Sequence, residues 1–208
     1  MRFKTTGRIV CGMARPRLSE GTRRRLLDAS AHAFLKQGYH GTGLKDLLDS
    51  VEIPKGSFYN YYPSKEALGV ATIEHTQRCT AETLAAALDG AADPVSGVRA
   101  FFEIQIAGFE RTGFEGGCLL ANLAGELDES EACRVALAKA FTDWRDGVRD
   151  ALADGQRLGL VRDDEDASDL ADMLIESWEG AVIRMKVDKS VEPLHKCLRR
   201  LLDSYFRP

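Results

Sequence analysis

Several things are missing from this 208-residue chain, and each absence narrows what it does. No run approaches 18 consecutive apolar residues, so no membrane-spanning helix is expected. The N-terminus, MRFKTTGRIVCGMARPR, is basic but lacks the apolar segment of a secretory signal. The five cysteines, at 11, 79, 118, 133 and 197, form no CxxC pair, which excludes both a zinc ribbon and a disulfide framework; reduced thiols in the cytoplasm are expected. His32, His40, His75 and His195 are scattered without ligand spacing, so no metal site is expected. No phosphate-cradling loop or cofactor motif occurs, and no cofactor is expected. Alternating Val/Ile/Thr runs of the strand type are missing throughout.

What is present is unevenly distributed. The net charge of −4 speaks against a nucleic-acid partner only as a total. Residues 1–65 carry 12 Lys+Arg against 5 Asp+Glu, whereas residues 66–208 carry 16 against 27. A head of net charge +7 that meets an anion, joined to a body of −11, is the implied organisation. Residues 1–18 read as a basic flexible arm. Met13 opens MARPRLSEGTRRRLL and reads as the more natural start.

Periodicity then predicts an all-α fold of about nine helices. Ser19 caps the first, which Gly38 stops. Thr42 or Gly43 opens a short second carrying Leu44, Leu47 and Leu48. Pro54 edges a third, from Lys55 to Tyr61. Ser64 caps a long fourth, reaching Leu88. Further helices are predicted over 95–111, 118–127, 130–158, 166–187 and 191–206. The domains are thus the arm, a helix-turn-helix head at 19–65, and a helical body at 66–208.

Three helices in about 45 residues, with the last two short and joined by a tight turn, form a helix-turn-helix pattern. Such a unit reads DNA when its third helix exposes polar groups while apolar residues anchor it from behind. Phe58 and Tyr62, four apart, are the predicted anchors. Ser57, Tyr59, Asn60 and Tyr61 remain for other faces, Gly56 leaves room for a phosphate, and Lys45, Lys55 and Lys65 add positive charge. Short helix pairs of this kind also occur in plain bundles; the charge of the same 65 residues favours double-stranded DNA.

The segment GYHGTGLKDLLDSVEIPKGSFYNYYPSKEAL, residues 38–68, closely resembles the DNA-binding head of TetR-family transcriptional repressors, KGSFYNYYPSKEAL being its specific part. The resemblance is strong over 19–68 and architectural beyond. It implies a homodimeric regulator that binds a palindromic operator and is released by a small-molecule effector. Lys55 and Tyr59 match positions that reach the major groove, and Ser57 one of mixed base and phosphate contact. Gly56, Tyr61 and Lys65 match phosphate positions. Thr42 and Lys45 match the backbone-touching start of the second helix. One departure stands out: Glu52 occupies the turn position that is usually glycine in the family, and its charge is expected to point away from DNA.

In the body, Phe102, Ile106, Phe109, Trp144 and Trp178 are candidates to line an effector pocket, or simply core. Cys118, after Gly116-Gly117, is placed at a predicted helix N-terminus, where the helix dipole would favour a reactive thiolate. Asn122 and Glu126 follow at i+4 and i+8 on its face. GGCLLANLAGEL is similar to a segment of a TetR subgroup that senses reactive electrophiles and small unsaturated acids, which implies a sensor cysteine; the other reading is a packed core thiol. Leu170, Leu174 and Trp178, with Leu194, Leu198 and Leu201, form two apolar stripes expected to bundle with a second protomer. The alternative class is a cysteine-nucleophile enzyme whose helical head binds no DNA; the sequence shows no histidine at a spacing that suggests a Cys-His pair.

Overall fold

A computed structural model describes residues 19–208; the basic arm and Met13 lie outside them. Among the described residues there are nine α-helices and no strand: α1 Glu20–Gly41, α2 Leu44–Ser50, α3 Lys55–Phe58, α4 Lys65–Asp89, α5 Pro94–Arg111, α6 Leu119–Ala124, α7 Glu131–Arg157, α8 Ala167–Asp188 and α9 Glu192–Arg200, followed by a π-helical turn at Leu201–Tyr205.

Local chemistry sets most of these boundaries. Ser19, Ser64, Asp93, Ser130 and Asp166 each accept a backbone N–H of the first turn that follows, satisfying donors that have no partner within the helix. The regular part of α1 ends at Gly38, whose φ of 76° and ψ of 165° break the helix. Three elements are shorter than predicted, α9 because its last turn, Leu201–Tyr205, is π-helical. Helix α3 stops at Phe58, and hydrogen-bonded turns carry the chain to Tyr62. Helix α6 stops at Ala124 with Gly125 as its cap, which removes Glu126 from it.

The core has three parts. Leu26, Leu27, Leu47, Leu48, Ile53, Phe58, Tyr62 and Leu68 fill the head. Phe34, Tyr39, Ile73, Leu120, Leu123 and Leu137 join head to body. The third fills the body between α5, α7, α8 and α9. Helix α4 is the spine, packing on α1 at one end and on α5 and α7 along its length. Asp28 of α1 and His75 of α4, 2.6 Å apart, add a polar tie.

The apolar stripes expected to face a second protomer face inward instead. Leu170, Leu174, Leu194 and Leu198 are fully buried within one chain and Trp178 is 1% exposed, so they form body core and are not available to a partner. Periodicity marks the buried face of a helix without saying whose atoms bury it. Leu201 alone of the six is half-buried, on an open groove of about 550 Å³ that it shares with Ser177, Gly180, Ala181 and Arg184 of α8 and Pro193, Lys196 and Arg200 of α9.

Candidate DNA interface and sensor region

Phe58 and Tyr62 are 0% and 5% exposed, with ring centroids 5.7 Å apart, and fix α3 from behind. The Tyr62 hydroxyl accepts a hydrogen bond from Arg23 of α1 at 3.3 Å. Anchoring on that side leaves Lys55, Gly56, Tyr59 and Asn60 exposed, with Ser57 and Tyr61 half-buried beside them. A Cβ on Gly56 would meet nothing within 4 Å, so the fold itself does not require glycine there. Lys45 stands on the exposed side of α2, paired with Asp49 at 2.8 Å.

Two expected DNA contacts are otherwise engaged. Thr42 is buried, and its hydroxyl donates to the Gly38 carbonyl at 2.7 Å, so it shapes the bend after α1. The Lys65 ammonium donates to the Tyr39 carbonyl and lies 4.3 Å from the centre of the Tyr39 ring. Burial holds its pKa below the usual lysine value, with Glu126 pulling the other way. The turn ahead of α3 runs through Glu52 in a left-handed conformation, φ 57°, which explains why glycine suits that position.

Of the sensor trio, Cys118 and Asn122 lie together and Glu126 does not. Cys118 is the N-cap residue of α6, half-buried, with the Glu179 carboxyl of α8 near enough to act on its charge, and Glu179 Oε1 is buried without a hydrogen-bond partner. Burial first, and the Glu179 charge second, push the thiol pKa far above its ordinary value. The N–H groups of Leu120 and Ala121 pull it down, as expected at a helix start, but the desolvation cost is larger. The predicted thiolate is therefore corrected to a protonated thiol. Burial also raises the Glu179 carboxyl. Asn122 donates to the Gly116 carbonyl at 3.0 Å, closing the loop before α6. Glu126 lies at the head–body joint, where its carboxylate accepts the His40 N–H at 3.2 Å and its carbonyl meets His40 Nε2 at 2.9 Å.

Among the pocket candidates, Phe102, Ile106 and Trp178 are packed core; the Phe102 and Trp178 rings are 4.5 Å apart. Trp144 forms one wall of a cavity of about 260 Å³ between α4 and α7. Phe109 lines a cleft of about 440 Å³ between α4 and α5, with Thr80, Gln105 and Arg111.

Sequence reasoning missed Glu179, which tertiary packing alone brings to Cys118. It also missed a cysteine beside a histidine: Cys79 Sγ lies 3.9 Å from His75 Nε2, four residues apart on α4. That spacing was legible. The pair is no catalytic dyad, because the same nitrogen faces Asp28 at 2.6 Å, and burial raises the Cys79 pKa. No cluster of three or more metal-ligating side chains is found among the described residues, nor any helix long and apolar enough to cross a membrane.

Comparisons agree with this geometry over both regions. Residues 26–72 match the family model of bacterial regulatory proteins of the tetR family, and residues 94–201 match the tetracyclin repressor-like C-terminal domain. The chain is 34% identical over 178 residues to the HTH-type transcriptional repressor DhaR of Mycobacterium sp. (strain GP1), covering 85% of this chain and 88% of that protein. It is 32% identical over 179 residues to the transcriptional repressor NemR of Escherichia coli (strain K12), covering 85% and 90%. The crystal structure of E. coli NemR in reduced form superposes with a TM-score of 0.82 at 31% identity, covering 88% of this chain and 96% of that one. These relatives are regulators and not enzymes, so the cysteine-nucleophile alternative is set aside. Both halves of the fold and the exposed face of α3 lead to one assignment: the chain belongs to the TetR family of transcriptional regulators.

Proposed function

We propose that this chain is a ligand-responsive repressor that binds a palindromic operator in double-stranded DNA as a homodimer and is released by a small-molecule effector held in its body. The observation that carries the reading is the outer face of α3 and the turn after it: Lys55, Gly56, Tyr59 and Asn60 exposed together on a segment pinned from behind by Phe58 and Tyr62. Phosphate contacts from Lys45 and Lys55 position such a head, and base contacts from Lys55 and Tyr59 specify the site.

The test is titration of the DNA upstream of the chain's own gene, at several salt concentrations. Binding that weakens steeply with salt is expected, because neutralising phosphates releases counterions. The double variant Lys55→Ala, Tyr59→Ala should lose operator binding while keeping its helical content and dimer. Undetectable or salt-independent binding by the unaltered chain overturns the proposal.

Cys118 enters this reading as the point where an electrophile is sensed, supported by its place at the start of α6 and by the buried Glu179 carboxyl nearby. Sulfur bonds to one carbon of the activated alkene as its π bond breaks, and the thiol proton, taken up by the Glu179 carboxylate, is passed to the neighbouring carbon. Cys118→Ser should still bind operator but resist release by N-ethylmaleimide; unchanged release removes the role.

A further inference from the structure

The body is acidic, yet one cleft in it is basic. A cleft of about 750 Å³ lies between α1, the end of α8 and the loop joining α5 to α6. His32 and Lys36 reach it from the head, Lys186 and Lys189 from the body, and Glu115 is the one carboxylate on its wall. Among the described residues, none of these four basic side chains makes an ion pair or a side-chain hydrogen bond. Many other basic side chains of the body are paired with carboxylates, as in Arg149 with Asp146 and Lys139 with Asp143, and the cleft is set apart by bringing four unpaired ones to one place. Unpaired like charges repel, and a cleft in which one sign predominates concentrates counter-ions.

The wall between the cations is a loop in which positive φ recurs. Gly113, Phe114, Gly116 and Gly117 all have φ between 65° and 88°, Phe114 without the freedom of glycine. A Cβ on Gly116 would fall 2.7 Å from Leu35 of α1, and one on Gly117 3.1 Å from the Lys186 side chain and 3.2 Å from Val182 of α8. The loop is thus wedged between the two helices that carry the charges, with glycine where a side chain would collide. Leu35 and Phe114 supply apolar surface next to the ammonium groups.

We propose that this cleft binds an organic anion, a carboxylate or phosphate head on a short apolar stem. The head is held by Lys36, Lys186 and Lys189, and the stem lies on Leu35 and Phe114. An occupant joins the head's first helix to the body, so it biases the angle between them. That regulatory consequence rests on the repressor reading above; the binding does not. Linkage makes the effect reciprocal: an anion that lowers operator affinity is itself bound more weakly by the operator complex.

The test is calorimetric titration of the DNA-free protein with sodium hexanoate, hexyl phosphate, hexan-1-ol and inorganic phosphate. Saturable, salt-sensitive binding of hexanoate or hexyl phosphate is expected, and whichever binds tighter identifies the head group. The double variant Lys36→Gln, Lys189→Gln should lose about ten-fold in affinity with unchanged thermal unfolding. Lys196→Gln, on the far groove, should lose nothing. Four results overturn the site: no saturation by either stemmed anion at ~10 mM, hexan-1-ol binding as tightly, inorganic phosphate binding as tightly, or an unaffected double variant. Operator affinity is measured separately with the tighter anion present. A change supports the coupling; anion binding with no change in operator affinity overturns the coupling alone. Failure of the unaltered protein to bind operator at all overturns the repressor reading, while calorimetry still decides the site.

Discussion

Glu52 holds a left-handed backbone in the turn of the helix-turn-helix, with its N–H bonded to Asp49 and the next N–H to Leu48. Those bonds fix the turn, so the strain of a side chain there is borne and not relieved. Glu52→Gly is expected to stabilise the chain by about 1 kcal/mol and raise Tm by about 2–4 °C, without weakening operator binding. A lowered Tm would show that the carboxylate has a partner worth more than the strain. Cys118 gives a second expectation at this scale. Its raised pKa leaves little thiolate at neutral pH, so iodoacetamide should label exposed Cys79 before Cys118. Labelling of Cys118 should rise with pH only beyond the range of an ordinary thiol; fast labelling at pH 7 would contradict the burial argument.

At the scale of elements, α6 links the sensor region to the head. It is capped by Cys118 and delivers Glu126, just past its end, onto the bend of α1. A Cβ on Gly38 would lie 2.7 Å from the Glu126 carboxylate, so the glycine makes room for that contact. The Lys65–Tyr39 contacts close the same joint from α4. Glu126→Ala is expected to speed amide exchange at His40 about ten-fold and weaken operator binding, with the melting of α7 and α8 unaltered. Exchange at the unaltered rate would show that Tyr39 and Lys65 hold the joint unaided. The caps and lengths of the long helices were legible because Ser, Asp and Pro act through neighbours a few residues away. The fate of Glu126 was not: an i+8 position shares a face with Cys118 only if the helix lasts that long, and Gly125 ends it.

For the whole molecule, the open face of α8 beside the groove between α8 and α9 is the surface left for the proposed dimer. A Cβ on Gly180 would meet nothing within 4 Å, and Ile183 and Val187 near it are 64% and 72% exposed. Gly180→Arg is expected to leave the fold intact and convert dimer to monomer in sedimentation. Leu174→Ala should instead cost about 2–5 kcal/mol of stability wherever the dimer forms, since Leu174 is already buried in one chain. Sedimentation as a dimer by Gly180→Arg would place the interface elsewhere. The charge split also changes at this scale. Of the 12 basic residues in 1–65, five precede residue 18, outside the described region. The described head owes its DNA-facing character less to net charge than to which side chains α3 leaves outside.

The sequence by itself determined that the chain is helical, where its helices start, that it carries a helix-turn-helix, and that Phe58 and Tyr62 anchor α3. These rest on interactions within a few residues, which period and spacing encode. The tertiary structure alone decided the rest: that the apolar stripes of α8 and α9 face their own core, that Thr42 is turned inward, that Cys118 meets Glu179 and stays protonated, and that cations from α1 and α8 share one cleft. Each of these depends on what distant segments bring to a side chain. Desolvation and pairing are set by those neighbours and not by position along the chain.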